Sequence, residues 1–318
     1  MTISQLSVSE IKLRCPACKN MNTYEGSISK GGNCSSCGFH LEKKERILCA
    51  LAPNRQKFYA RFLEEYRKIR HAEGRGSDKT EYYLALPYRD LTGRNSSQWL
   101  IRGRTYAYFE KRLLPEFEKG VGLDILDLGA GTGWLSYRLA QRKHRPIAVD
   151  IFVDAKDGLG AAHHYQTALD RQFPLIMAEF DNLPFEDGQF DLAIFNSSLH
   201  YSTDYDVTLT EAKRCLKPSG SVLVLDSPIY KRPEHGGIMK EERHRYFEAR
   251  FGFRSDSLPS IEFLDDVTLT RLAHSLRLKW KFYHPWYGWK WLLRPLKSHI
   301  KGSRPPARFC ILVGSWSG

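Results

Sequence analysis

Residues 123–134, LDILDLGAGTGW, constrain the fold more than any other stretch. An alternating apolar run ends in Asp127 and then breaks at Gly129, Gly131 and Gly133. This pattern predicts a buried strand running into a tight turn that opens a helix over 134–142. Glycine permits the turn dihedrals and lets backbone N–H groups approach a ligand with no Cβ in the way. Gly129, Ala130, Gly131 and Gly133, with Asp127 before them, therefore form a candidate cradle for a nucleoside-bearing cofactor. A lone strand-to-helix turn of this kind also occurs with no ligand.

Beyond the turn the pattern alternates. PIAVDIF carries a strand ending at Asp150, PLIMAEF another, FDLAIFN a fourth ending at Asn196 and SVLVLDSP a fifth. A helix is expected over 206–216 and a turn at KPSG, with LKWKFYH and ARFCILVGSW as the last strands. Strands apolar on both faces, alternating with amphipathic helices, imply a parallel sheet covered on both sides, and such sheets bind ligands at the carboxyl ends of their strands. Residues 229–263 interrupt the alternation and read as a substrate lid holding His235, His244 and Tyr246. After a helix over 264–276 comes HPWYGWKWLLRPLKSHIKGSRPPA, whose Trp286, Trp289 and Trp291 suit a core, a base-stacking surface or a membrane interface beside Lys290, Arg294 and Lys297.

The seven cysteines include Cys15, Cys18, Cys34 and Cys37 in C-x2-C-x15-C-x2-C. The N-terminal MTISQLSVSE has neither a basic start nor an apolar signal segment, and no run of 18 apolar residues occurs, so the reading is a soluble cytoplasmic chain with reduced thiols. Four thiolates at this spacing suit a structural tetrahedral zinc. Residues 11–41 then form a ribbon, with IKLR as a strand and His40 an exposed strand residue. Next, Phe58, Tyr59, Phe62, Leu63, Tyr66 and Ile69 recur at helical spacing, and a second helix is expected over 101–117. The expected division is a zinc ribbon at 1–50, a helical linker and approach segment at 51–119, and a catalytic domain at 120–318.

Charge is distributed unevenly. Residues 1–120 carry 22 Lys/Arg against 13 Asp/Glu, residues 121–226 carry 9 against 15, and residues 227–318 carry 17 against 8. Basic flanks around an acidic middle fit an anionic substrate or surface, or ordinary solvation.

Trp134 stands where a dinucleotide fingerprint asks for a third glycine, which disfavours nicotinamide. The succession DLGAGTG, AVD, EFDNLPF, FDLAIFNSSLHY and LKPSGSVLVLD instead resembles the class I S-adenosylmethionine (SAM)-dependent methyltransferases, in particular the branch acting on quinones and other metabolites. The resemblance covers residues 123–228 and the last strand. It implies a Rossmann-like, seven-stranded, mostly parallel sheet with helices on both faces, joined to the small N-terminal zinc ribbon, and SAM as cofactor. By position, Asp127 and the glycines would face the amino-acid part of SAM, Asp150 the ribose hydroxyls, and Asp181 with Asn182 the adenine, while Asn196 would close the site. His200 is a candidate general base, or a helix-starting residue that only shapes the pocket, and Tyr201 lines the same cleft. His163 and His164 are expected on a solvated helix.

Three functions remain open at this point. The favoured one is methyl transfer to an enclosed small-molecule acceptor, anionic or lipid-like. The alternative is methylation of rRNA or tRNA held by the ribbon and the basic flanks, although no N-P-P-Y motif follows the fourth strand. The last is a SAM-binding protein without catalysis, against which the intact cofactor loop argues.

Overall fold

In the computed structural model, the N-terminal ribbon does not stand apart from the main sheet; it completes one edge of it. The structure describes residues 11–316 apart from 22, 23, 25–27, 29, 119 and 121, so MTISQLSVSE lies outside the described residues. The ribbon supplies β1 (Gly32–Asn33), β2 (His40–Lys44) and β3 (Ile47–Cys49). There follow α1 (Pro53–Ala72), α2 (Thr80–Ala85) and α3 (Ser96–Tyr108), which passes through a wider turn at Phe109–Leu113 into α4 (Leu114–Phe117). The alternating part comprises β4 (Asp124–Leu128), α5 (Trp134–Gln141), β5 (Arg145–Asp150), β6 (Leu175–Met177), β7 (Phe190–Asn196), α6 (Tyr205–Cys215) and β8 (Leu216–Leu225). The remainder is β9 (Ile229–Tyr230), α7 (Pro233–Phe251), β10 (Leu264–Asp265), α8 (Asp266–Ser275), β11 (Leu278–Tyr283), α9 (Trp289–Leu292), α10 (Arg294–Ile300) and β12 (Ile311–Trp316).

The main sheet has ten strands in the order β1-β2-β3-β6-β5-β4-β7-β8-β12-β11. From β6 to β11 these are the seven strands the motif order implied. β6 through β8 run parallel, whereas β12 is antiparallel to both β8 and β11. The other three come from the ribbon, where β2 and β3 are antiparallel and β3 lies parallel to β6 with Leu48 opposite Ile176.

Period-two alternation divides the core between the two faces. Leu126, Ala193, Phe195, Val222 and Val224 point to one side, where Leu209 and Ala212 of α6, Leu269 and Leu272 of α8, and the ribbon's Leu13, Ile28, Leu41 and Leu48 pack against them. Ile125, Leu192, Ile194, Leu223 and Leu225 point to the other, against α5, α2 and α3. No helix of the described residues is long and apolar enough to cross a membrane.

Two local expectations are corrected. IKLR makes only one bridge, Leu13 opposite Phe185, because its amides and carbonyls alternate between Pro184, Glu186 and the Gln189 side chain. KPSG is not a free turn but part of β8. A register shift between Phe190 and Leu192 absorbs the extra residues, and the Lys217 Nζ is held by Asp124 at 3.1 Å and Asp191 at 2.9 Å.

Leu48 sits at the joint between ribbon and sheet and is only 1% exposed. Leu48→Ala is expected to cost about 2–4 kcal/mol of unfolding free energy through the lost apolar burial and the cavity left behind. Denaturant unfolding should show this as a shift of the main transition. An unshifted main transition would mean that ribbon and sheet fold independently.

Candidate active site

The turn after β4 is built on three left-handed glycines, Gly129 at φ 75°, Gly131 at 54° and Gly133 at 77°. A Cβ on Gly129 would lie 2.3 Å from the Ser198 Cβ, whereas one on Gly131 would meet nothing within 4 Å. Gly129 is therefore required by packing, and Gly131 keeps the cavity wall bare. Gly131 N–H donates to Asp150 Oδ2 at 2.8 Å and Phe152 N–H to Asp150 Oδ1 at 2.8 Å, so the acid ending β5 holds the loop from across the site. Burial raises the Asp150 pKa against the pull of those amides.

The cavity lies at the carboxyl ends of the parallel strands and encloses about 1170 Å³ of space, its mouth included. Its floor comes from residues 129–132 and Trp134, from residues 150–152, from residues 179–181, and from residues 196–198 and 201–203. Its roof is Tyr59, Phe62, Tyr66 and Arg70 of α1 with Trp99 and Arg102 of α3. From the 229–263 segment only Leu258 lines the wall.

Two arginine forks clamp the roof to the floor. Near the start of α1, Arg55 Nε and Nη2 reach Glu179 Oε2 at 2.8 and 2.6 Å, and the Tyr59 hydroxyl donates to the same oxygen at 3.0 Å. Near its end Arg70 makes a fork to Asp157, with Nη2 to Oδ1 at 3.0 Å. Between them Tyr66 packs edge-on against Phe152 at 5.2 Å and Tyr201 at 6.0 Å. Trp134 packs edge-on against Trp99 at 6.1 Å and Tyr106 at 5.6 Å, which fixes α3 to the glycine loop.

Arg102 differs from the other two arginines. It donates to the Ser197 hydroxyl at 3.2 Å and stacks over Trp99 at 5.0 Å, with no carboxylate among the described residues in ion-pair contact. Burial, then Arg75 and Arg70, lower its pKa, while Asp226 opposes. An unpaired guanidinium on a cavity wall is costly unless an anion joins it.

The expected site residues separate into two groups. Gly129, Ala130, Gly131, Asp150, Asp181, Asn196 and Tyr201 all line the cavity, and Gly133 starts α5 behind it. The Asn196 Oδ1 is buried with no partner among the described residues. Asp181 accepts from the Thr208 hydroxyl, and burial raises its pKa. Asp127 and Asn182 point elsewhere. Asp127 Oδ2 accepts from Ser136 N–H at 3.1 Å and Oγ at 2.8 Å, bracing the start of α5, and burial pushes the carboxyl up to about 7 against those bonds. Asn182 Nδ2 donates to the Pro16 carbonyl of the ribbon at 2.7 Å.

His200 stands behind the cavity wall, buried, its Nδ1 3.4 Å from the Ser227 hydroxyl. Burial, followed by Arg243 and Arg102, pushes its pKa down to about 3. His244 is buried against Glu262 at 2.7 Å inside the inserted segment. His164 is also buried, stacked on Tyr83 at 4.1 Å, contrary to the solvated helix expected for it, because the residues after β5 fold as a tight helix, Leu159–Ala168, against α2.

In the ribbon the four sulfurs of Cys15, Cys18, Cys34 and Cys37 lie within 4.8 Å of one another. Cys15 to Cys37 is 3.6 Å and Cys18 to Cys34 is 3.7 Å. A tetrahedron with metal–sulfur bonds of about 2.3 Å has edges near about 3.8 Å, so the four thiols are already arranged for one ion.

Residues 126–224 match the family model described as a methyltransferase domain. Malonyl-[acyl-carrier protein] O-methyltransferase of Geobacter sulfurreducens is 31% identical over 211 residues, which cover 59% of this chain and 71% of that protein. The ubiquinone/menaquinone biosynthesis C-methyltransferase UbiE of a Shewanella strain is 31% identical over 117 residues, 36% of this chain and 45% of that protein, so the chain spans less than half of that relative. The solved PH0226 protein of Pyrococcus horikoshii is 20% identical with a TM-score of 0.48, covering 74% of this chain and 99% of that one. The chain belongs to the SAM-dependent methyltransferases and is an enzyme of that class.

A histidine held neutral in the native state destabilises the fold as acid is added, because the unfolded chain takes up the proton and the native chain does not. Native stability should therefore fall as pH drops below about 6.5, by up to about 1.4 kcal/mol per pH unit from this group. Unfolding midpoints at pH 7 and pH 5 should lie closer together in His200→Gln than in the parent. An equal gap in both proteins would place the acid sensitivity in other groups.

Proposed function

We propose that the protein transfers the SAM methyl group to a carboxylate oxygen of a small acceptor enclosed beneath α1, giving a methyl ester. The observation that carries this reading is Arg102, a half-buried cation on the cavity wall with no carboxylate among the described residues in ion-pair contact. In this reading Asp150 takes the ribose hydroxyls, Asp181 lies at the adenine, and the loop of Gly129, Ala130 and Gly131 with Asn196 holds the amino-acid part. Asp127, Gly133 and Asn182 act from behind that surface. Asp150 and Asp181, the two acids of the cavity wall not in ion pairs with arginine, suit a cationic, sugar-bearing ligand.

Bound SAM would supply an electrophilic methyl group on its sulfonium. The chain's own residues then have three tasks. Arg102 holds the acceptor carboxylate through charge-assisted hydrogen bonds, which fixes the attacking oxygen. Phe62, Tyr66 and Tyr201 exclude water. A carboxylate is already ionised at neutral pH, so no proton has to be removed, and His200 needs only to shape the wall. The O-methyl transfer named for the Geobacter relative is consistent with an oxygen acceptor of this kind.

Zinc fits the ribbon as a structural ion with four thiolates and no open position. The ribbon and approach segment then serve the catalytic part from within, since Leu13, Ile28, Leu41 and Leu48 pack inward and α1 roofs the cavity. That arrangement supports the small-molecule reading over an RNA-holding arm. The cysteines of the described residues form no disulfide with one another, which suits a reducing compartment, the cytoplasm.

Two measurements test these assignments. With radiolabelled SAM and carboxylic-acid acceptors, Arg102→Gln should raise the acceptor KM by about 10- to 100-fold, the value of a charged hydrogen-bonded pair. Its SAM affinity by calorimetry should stay near the parent value. A large loss of SAM affinity with acceptor KM unchanged would assign Arg102 to the cofactor's own carboxylate. Metal analysis should find a single zinc per chain, lost in Cys34→Ser together with the hydrogen-exchange protection of β3. A metal-free chain with β3 fully protected would remove the zinc assignment.

A further inference from the structure

Amphipathic helices of a soluble protein normally turn their apolar stripe toward the core. The segment holding α9 and α10 does the reverse. Trp289, Leu292 or Leu293, Leu296 and Ile300 follow one another at spacings of three and four, and every one is exposed, Trp289 to 72% and Ile300 to 75%. Trp286, 57% exposed, extends the stripe at its start, and neither helix buries a single residue. Lys290, Lys297 and Lys301 each follow a stripe residue by one position and set a column of cations beside it.

The surrounding charge is one-sided. Residues 267–318 contain ten Lys/Arg and no Asp or Glu. A second copy of the chain docked on this stripe through a twofold axis would bring the lysine column against itself. An anionic lipid leaflet, in contrast, offers apolar depth for the stripe, headgroup charge for the lysines and an interfacial position that tryptophan favours.

The segment is attached to the side of the sheet on which the cavity lies. β11 runs parallel to the catalytic strands because it is antiparallel to β12, which is antiparallel to β8, so Tyr283 ends at the cavity side of the sheet. Tyr287 is buried, its hydroxyl 2.8 Å from Thr105 Oγ1, and Arg104 donates to its carbonyl. Trp291 stacks on Phe309 at 5.4 Å, and the Arg294 Nη2 holds the Ala307 carbonyl at 2.6 Å. Thr105 lies three residues along α3 from Arg102 of the cavity wall.

We propose that the face formed by Trp286, Trp289, Leu292, Leu296 and Ile300 with the lysine column is a peripheral docking surface for an anionic membrane leaflet. It lies on the bilayer without spanning it. This surface stands independently of the acceptor assignment.

The test is co-sedimentation of the full-length, metal-loaded protein with vesicles of phosphatidylglycerol in phosphatidylcholine and with pure phosphatidylcholine, followed also by tryptophan emission. The parent should bind the anionic vesicles with a blue shift and bind the neutral ones weakly. Trp289→Ser, Leu296→Ser and Ile300→Ser combined should reduce binding by about tenfold or more, since the stripe supplies the buried apolar area. Lys290→Gln, Lys297→Gln and Lys301→Gln combined should reduce it by about a hundredfold and abolish the preference for phosphatidylglycerol. All six positions are solvent-facing, so the unfolding midpoint and SAM affinity should not change. Failure to bind anionic vesicles, or undiminished binding by the apolar variant, would overturn the proposal. So would a parent dimer in sedimentation equilibrium that the apolar variant dissolves, since that would make the face a contact between copies.

Discussion

The short parallel pairing of β3 with β6 is the contact on which the site depends. It is three residues long, Ile47 to Cys49 against Leu175 to Met177, and the Ala50 amide extends it to the Met177 carbonyl. Pro53 then starts α1 at the first helical position, where its missing N–H costs nothing. The fork from Arg55 to Glu179 binds the helix just beyond the end of β6, and the fork from Arg70 to Asp157 binds it beyond β5. Fifteen helical residues separate the two, about 22 Å. A helix of that span crosses the strand ends and closes the cavity from above. Changing the register of β3 would shift both forks together.

Electrostatics supports the same arrangement. The cavity wall carries four acids, and two of them are neutralised by arginines of α1. These forks stabilise the roof only because each charge has its partner; a buried cation or acid left alone is strongly unfavourable. Asp150 is held by backbone amides and Asp181 by a hydroxyl, so both keep lone pairs for a ligand. Arg102, the Asn196 Oδ1 and the Thr132 hydroxyl are the remaining cavity groups without a full set of partners. In a cavity otherwise satisfied, the groups left over mark where a bound molecule has to complete the bonding.

Much of this was legible in the sequence because it rests on local rules. The glycines at positive φ, Asp150 at the end of β5 and the four-cysteine cluster each express a short-range requirement. The roof was not legible. Tyr59, Phe62 and Tyr66 show the helical period of a packing face, and the period cannot tell a face on a core from one on a cavity. Glu179 and Asp157 reveal their role only through arginines more than eighty residues away. The position of His200 was illegible for a related reason: a one-residue difference along a tight turn decides which side chain meets the cavity, and here it is Tyr201.

The lid expected of residues 229–263 was assigned by their length and polarity, yet their charges are used internally. Glu262 alone engages Lys240, Arg243 and His244, while Arg254 ties Glu241, Glu248 and Asp256. Of this segment Leu258 alone lines the cavity wall, whose roof is made by α1 and α3. On α3, Trp99 and Arg102 face the cavity while Arg104 and Thr105 hold Tyr287, the root of the outward-facing tryptophan segment. These contacts lie within two turns of one helix, so α3 joins the root of the outer segment to the cavity wall. The proposed lipid-facing surface and the cation proposed to hold the acceptor are thereby attached to the same helix.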